Sequence, residues 1–298
     1  MINYNSAAAL RAFLDSEGLG MQKKFGQNFL INPKIRQSLV DALDGAPGCE
    51  VWEIGPGIGA MTALLLEEGM KGKAFEIDKG FIGILKRIFD NEKNFTIVEG
   101  DVMKTWMKTW QMQKSACAEN NNDYLFGNLP YNIGATLLAQ LIEKGCLFKR
   151  MVVTVQKEVA LRMAATAGSK DYSSFSVLCA SVYRVKPLMT IRREAFYPQP
   201  NVESMGVLLE TLHEGSCEIP SGFYPLVRAL FASRRKTIRN NLTAFVHSCA
   251  DKFPSGAGVK EITETVLKQN GFNGNERAED LEIEQFLSLA NSVQNMRK

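Results

Sequence analysis

Residues 50–69, EVWEIGPGIGAMTALLLEEG, join an apolar strand to a helix through a turn of alternating glycines. Gly55, Gly57 and Gly59 let the backbone turn sharply and come close to a ligand, and the helix beginning near Ala60 turns its positive end toward the same place. A strand, tight turn and helix of this kind commit a chain to α/β architecture with a crevice at the strand ends. The spacing is GxGxG rather than the dinucleotide GxGxxG, and no Lys-Ser/Thr follows as in a P-loop.

From Glu50 to about Leu212 short apolar runs alternate with helical stretches, which predicts a mainly parallel sheet covered on both faces. The strand candidates are CEVWEIG, KAFEID, FTIVEG, DYLFGN, RMVVTVQ, LMTIRREAF and GVLLETL. The last two have no long helix between them and predict a closing antiparallel hairpin with YPQPNVES as its turn. GSCEIPSG reads as a linker. Beyond it only helical patterns remain: FYPLVRALFASRRKTIRNNLTAFVHS, VKEITETVLKQNG and RAEDLEIEQFLSLANSV. The expected organisation is an α/β domain over 1–212 and a smaller all-α domain over 213–298.

Composition narrows the chemistry. The chain has 298 residues, long enough to bury a full core, with 45% hydrophobic and 22% charged residues and a net charge of +3. Cys49, Cys117, Cys146, Cys179, Cys217 and Cys249 form no CxxC or Cys/His pairing, so neither a disulfide framework nor a metal site is expected, and a reducing cytoplasm fits best. The opening residues lack the pattern of a signal peptide, and no apolar run approaches the roughly 18 residues of a membrane span. His213 and His247 are the only histidines and lie outside any motif, which argues against histidine catalysis.

The second strand ends in FEID, placing Glu76 where a carboxylate accepts hydrogen bonds from ribose hydroxyls; the third ends in VEGD, placing Asp101 where an acid suits the amine of an adenine. With the glycine turn these ends describe a pocket for an adenosine without a diphosphate, and S-adenosylmethionine is the obvious candidate. The bland alternative is a tight turn with two surface acids. Glu53 and Asp78 read as neighbours with orienting or capping roles.

The fourth strand, DYLFGN, ends in Asn128-Leu129-Pro130-Tyr131. A purine amine is a poor nucleophile because its lone pair is delocalised into the ring. The Asn128 side-chain oxygen and the carbonyl of Leu129 or Pro130 can each accept one of its N–H bonds and aim the lone pair at a methyl group, with no strong base. Pro130 helps hold the carbonyl in a fixed direction. Tyr131 offers a face on which an extruded base can stack. Taken alone, the turn is as easily a proline turn with a core tyrosine.

These residues resemble one family, the KsgA-type rRNA adenine N6,N6-dimethyltransferases, over nearly the whole chain. The resemblance runs through KKFGQNFLINP (23–33), EIGPGIGAMT (53–62), FEID (75–78), EGDVM (99–103) and GNLPYNIG (127–134). It continues in VQKEVALRM (155–163), YSSFSVL (172–178), FYPQPNVES (196–204), SRRKTIRNNL (233–242) and RAEDL (277–281). It implies a class I methyltransferase fold, Rossmann-like with a seven-stranded sheet, followed by a small helical domain. It also implies dimethylation of N6 on two adjacent adenines near the 3′ end of 16S rRNA, within the small subunit, in ribosome biogenesis. The family's donor contacts fall on Asn28, Leu30, Gly55, Glu76, Asp101 and Asn128, with Gly57 in the same loop, and the target-base role falls on Asn128 to Tyr131. Phe196 matches a second aromatic that sandwiches the base. The chain departs from the family pattern at DVM after Gly100, at AGSK (167–170), at Glu203 where Asp is usual, and in a longer asparagine-rich insertion before Asp123.

Basic residues cluster in two stretches. Residues 219–250 contain Arg228, Arg234, Arg235, Lys236 and Arg239 and not one Asp or Glu, and YRVKPLMTIRR likewise carries Arg184, Lys186, Arg192 and Arg193 without an acid. An isolated basic run is usually a solvated face. Two runs beside a base pocket point instead to RNA, and Arg234, Arg235, Lys236, Arg239, Arg192 and Arg193 are the expected contacts. Lys23 and Lys24 extend the mouth of the donor site, Gln27 and Asn28 close over the donor, and Lys157, Glu158 and Arg162 serve as an ion pair or as RNA contacts. The expected protein is a cytoplasmic monomer without metal or membrane. An Erm-type large-subunit methyltransferase and a noncatalytic subunit-assembly factor are the rivals.

Overall fold

The computed structural model describes residues 2–19, 27–116, 124–212, 219–254, 256 and 258–297. Lys23, Lys24 and the asparagine-rich insertion lie outside the described residues. The chain divides into two compact units, one of residues 1–160 with 184–214, the other of 161–183 with 215–298.

The first unit opens with helix α1 (Ala7–Ser16), a short strand β1 (Phe29–Leu30) and α2 (Pro33–Leu43). Asn32 caps α2 through its side-chain oxygen, and Pro33 occupies the first turn, where its missing N–H costs nothing. The sheet is then built by β2 (Glu50–Ile54), α3 (Ala60–Glu67), β3 (Lys71–Glu76), α4 (Lys79–Ile88), β4 (Phe95–Glu99), α5 (Val102–Ala116), β5 (Tyr124–Asn128), α6 (Gly134–Glu143) and β6 (Arg150–Gln156). α7 (Lys157–Met163) and α8 (Ser174–Ala180) precede β7 (Tyr183–Ile191), β8 (Phe196–Tyr197) and β9 (Ser204–Thr211).

The strands form one seven-stranded sheet in the order β4-β3-β2-β5-β6-β9-β7. β4, β3, β2, β5 and β6 run parallel, and β9 is antiparallel to β6. β2 and β5 sit at the centre as apolar runs buried on both faces, which is why they read as continuous rather than alternating. Successive crossovers from β2 build outward to β3 and β4, and β5 then starts on the other side of β2. That reversal leaves a crevice between the C-terminal ends of β2 and β5. The expected hairpin strand LMTIRREAF differs in its bounds: β7 begins earlier, at Tyr183, and its end gives way to a single 3₁₀ turn over Arg193–Ala195. The freed Phe196–Tyr197 pairs with β1, Leu30 opposite Phe196 and Phe29 opposite Tyr197.

In the second unit α9 (Phe223–Leu230), α10 (Ile238–Ser248), α11 (Val259–Gln269) and α12 (Ile283–Asn295) close around one apolar cluster that includes Phe223, Leu242, Val266 and Phe286. The long pattern expected over 223–248 is two helices, because the Asn241 amide donates to the carbonyls of Leu230 and Ser233 and holds the chain in a turn between them. Residues 161–183, expected with the sheet, group with these helices: Tyr172 and Val177 join their core, and the Tyr172 hydroxyl donates to the Leu281 carbonyl at 2.9 Å.

Candidate active site

At the end of β2 the backbone passes through Gly55, Gly57 and Gly59 at φ 70°, 60° and 89°, a left-handed path that side chains resist. A Cβ on Gly57 would also stand 2.8 Å from the Phe29 ring, so the loop is closed down against the segment that precedes α2. Beneath it Glu53, buried at the end of β2, accepts a 2.6 Å hydrogen bond from the Thr62 hydroxyl in α3.

The end of β3 supplies Glu76, which is 5% exposed. Its Oε2 accepts the Gly57 N–H at 3.0 Å, and its Oε1 accepts the N–H groups of Ile77 at 2.9 Å and Asp78 at 2.8 Å. Burial pushes its pKa up to about 7, the three N–H bonds pulling the other way. Since a carboxylate has about four acceptor sites, capacity remains on Oε2, the oxygen with one partner. Asp78 caps α4 through Gly80 and Phe81 N–H and accepts the Gln27 amide at 3.0 Å. At the end of β4, Asp101 Oδ1 accepts the Met103 N–H at 3.0 Å, fixing its carboxylate at the start of α5.

At the end of β5, Asn128 Nδ2 donates to the Asn28 carbonyl at 2.7 Å. Only the nitrogen can donate, so this bond settles which way the amide points and leaves Oδ1 as the outward acceptor. The Leu129 N–H donates to Thr154 O, and the Pro130 carbonyl accepts both Ile133 and Gly134 N–H groups, at 3.1 and 3.0 Å. Pro130 O is therefore occupied by the start of α6. Of the two carbonyls that the sequence left open, Leu129 O is the one without a partner among the described residues, while its side chain is buried at 1% exposure.

These ends surround one cleft of about 210 Å³. Asn28, Leu30, Gly55, Gly57, Glu76, Asp101, Asn128 and Pro130 all line it, with Phe29, Ile54, Met61, Phe75 and Phe81 among its apolar walls. Tyr131 stands outside that lining, half-buried, its hydroxyl hydrogen-bonded to Ser204 at 2.5 Å. Phe196 departs from its expected place. Its pairing opposite Leu30 turns the ring into the core with Leu39, Ile191 and Leu208, at 1% exposure, so it presents no stacking face to the cleft.

The cleft also uses Ile77, Val102, Asn132 and Ile133, which the sequence reading passed over. Ile77 was legible in principle: between two strand-end acids that turn inward, its side chain has to face out, and it is 40% exposed. Among the six expected RNA contacts the geometry separates two kinds. Arg234 pairs with Glu279 at 2.8 Å and donates to Lys170 O, and Arg239 pairs with Glu264 at 2.8 Å and donates to Asn273 O. Arg235, Lys236, Arg192 and Arg193 are exposed and form no ion pair or side-chain hydrogen bond among the described residues, though Arg192 and Arg193 stand near enough to Glu203 to lower its pKa. Of the trio Lys157, Glu158 and Arg162, Lys157 is paired at 2.8 Å with Glu203, a residue outside that helix.

A mainly parallel seven-stranded sheet, with a glycine turn, two strand-end acids and the Asn128 and Pro130 of the turn after β5 around one cleft, defines a Rossmann-like methyltransferase. The particular family follows from the sequence as a whole: the model for ribosomal RNA adenine dimethylase matches residues 18–295, and the chain belongs to that family. It is 46% identical to the ribosomal RNA small subunit methyltransferase A of Treponema denticola, over 98% of this chain and 96% of that protein. Among solved structures it is similar to a dimethyladenosine transferase from Plasmodium falciparum, with a TM-score of 0.73, 25% identity, and coverage of 89% of this chain and 98% of that one. The 23S rRNA methyltransferase ErmE shares the fold at a TM-score of 0.61 and 19% identity, covering 89% of this chain and 98% of that one.

Proposed function

We propose that this protein dimethylates N6 of adenine in small-subunit ribosomal RNA with S-adenosylmethionine as donor, and that its targets are two adjacent adenines near the 3′ end of that RNA. The observation that carries the reading is the fixed amide of Asn128, whose oxygen is left unbonded in the cleft that Glu76 and Asp101 also line, one residue before a Leu129 carbonyl that has no partner among the described residues.

The donor fits these residues: a buried carboxylate with acceptor capacity toward the cleft, a glycine loop that admits close approach, and apolar walls for a purine. Glu76 would take the ribose hydroxyls, Asp101 the adenine amine, and Asn28, Leu30, Gly55 and Gly57 the remaining contacts. When bound, S-adenosylmethionine supplies an electrophilic methyl group. Asn128 Oδ1 and Leu129 O accept the two N–H bonds of the target amine and orient its lone pair, so the chain's contribution is positioning and electrostatic alignment. Tyr131, anchored at its hydroxyl by Ser204, offers a ring face to the extruded base. Arg235, Lys236, Arg192 and Arg193 serve the RNA backbone.

The small-subunit reading is preferred to the large-subunit one because the 46%-identical relative carries the small-subunit name, while ErmE is 19% identical. No described helix is long and apolar enough to cross a membrane, and we place the enzyme in the cytoplasm as a monomer. The direct test is incubation of purified protein and labelled donor with separated, unmodified ribosomal subunits, followed by digestion. N6,N6-dimethyladenosine from the small subunit is expected; label in the large subunit, or in another nucleoside, would refute the assignment.

A further inference from the structure

Tyr4 and Asn5 precede the first helix and do not line the cleft, yet they are bonded to both of its walls. Arg36, on α2 and 6% exposed, donates through Nη1 to the carbonyls of Tyr4 at 3.2 Å and Leu30 at 2.8 Å, and through Nη2 to Asn5 Oδ1 at 2.5 Å. Leu30 belongs to the segment that covers the cleft. The Tyr4 hydroxyl donates in turn to the carbonyl of Ile58, inside the glycine loop, at 3.0 Å. Residues 4 and 5 thus link the cover strand to the loop.

The link is made at a cost. Among the described residues every hydrogen bond that Arg36 makes goes to a neutral oxygen, and its Nε has no partner. A buried cation held this way is a poor source of stability compared with an apolar side chain of the same bulk. What it provides is direction: one planar guanidinium fixes three oxygens from two segments, residues 4 and 5 on one side and Leu30 on the other. Burial meanwhile pushes the Tyr4 phenol up to about 12, so it stays protonated and able to donate. Packing follows the same line, since Leu10 and Leu14 of α1 join Ile58 of the loop and Phe81 of the cleft wall in one apolar cluster.

We propose that Tyr4 and Arg36 are positioning residues for the methyl donor, holding the glycine loop and the cover strand at the separation that donor binding requires. The proposal rests on the donor-site reading above. Its prediction is a split: donor affinity depends on the link, and transfer from bound donor does not.

The test is Tyr4→Phe in the full-length chain, which removes one hydroxyl and keeps the ring. Donor Kd by calorimetry, the thermal midpoint without donor, and kinetics on unmodified small subunits are measured together. Loss of one hydrogen bond that orders the loop should weaken donor Kd and raise donor KM by about fivefold, with kcat at saturating donor unchanged. Arg36→Met releases Leu30 and residues 4 and 5 at once and should weaken Kd further; if that variant does not fold, Tyr4→Phe decides alone. An unchanged Kd, a loss confined to the thermal midpoint, or a fall in kcat with Kd intact overturns the proposal. Wild-type protein that binds no donor refutes the donor-site reading and the link with it, so the two failures are distinct.

Discussion

Glu76 and Asn128 stand at the ends of β3 and β5, with β2 between them, and main-chain groups fix both in opposite senses. Glu76 is held through its acceptors: three backbone N–H groups converge on one buried carboxylate. Asn128 is held by its donor, one N–H to the Asn28 carbonyl, so that its oxygen is left over. The first arrangement makes a rigid wall whose charge depends on pH. The second makes a pre-aimed acceptor that does not titrate at all. On the proposed reading, a donor site tuned by protonation therefore sits beside an acceptor site tuned only by geometry.

The sharpest way to break the contrast is Asn128→Ala. With one of two acceptors gone, transfer should fall by about a hundredfold or more, in line with the loss of one preorganised hydrogen-bonding group, while donor Kd moves little. Single-turnover rates beside calorimetry check this, and near wild-type transfer would mean that the amine is oriented by something else.

A smaller effect is expected from Glu76→Gln, about tenfold in donor Kd, because a charge-assisted acceptor becomes a neutral one. For wild type, donor affinity should weaken as pH falls through about 7, where Glu76 takes up its proton, and the variant should be flat across that range. Stability of the donor-free protein runs the other way. The folded carboxyl is raised from 4.5 to about 7, so its contribution is complete below 4.5 and is lost as pH rises through 7. Calorimetric titrations and thermal midpoints at several pH values test both signs.

The smallest effect extends the contrast to the basic residues. Arg235→Gln with Lys236→Gln should reduce the slope of log affinity for RNA against log salt by about one per lost phosphate contact, leaving the thermal midpoint unchanged. Arg234→Gln, which breaks the ties to Glu279 and Lys170, should lower the midpoint instead. Equal behaviour of the two would erase the distinction between tied and untied arginines.

The parallel strands and the loop were legible because their signals are local: a fully buried strand is a short apolar run, and a left-handed turn asks for glycine. What escaped the reading is long-range. The two-residue strands β1 and β8 have no period to detect, and their pairing is what draws Phe196 into the core. The break between α9 and α10 contains neither Gly nor Pro; an amide further along the chain, Asn241, makes it. The grouping of residues 161–183 rests on Tyr172 reaching Leu281, 109 positions away. Asn128 was legible as a residue type, but the orientation of its amide was not, since that depends on Asn28, 100 positions earlier.

The turn after β5 leaves two acceptors for an amine that starts with two N–H bonds and keeps one after the first methyl arrives. On the proposed mechanism the second round runs with either Asn128 Oδ1 or Leu129 O unmatched, and a methyl group must fit where a proton had been. The same turn therefore favours its first substrate over its own first product. Monomethyladenine should build up early in the reaction, and dimethylation becomes a matter of how long the RNA stays bound rather than of a second, separate site.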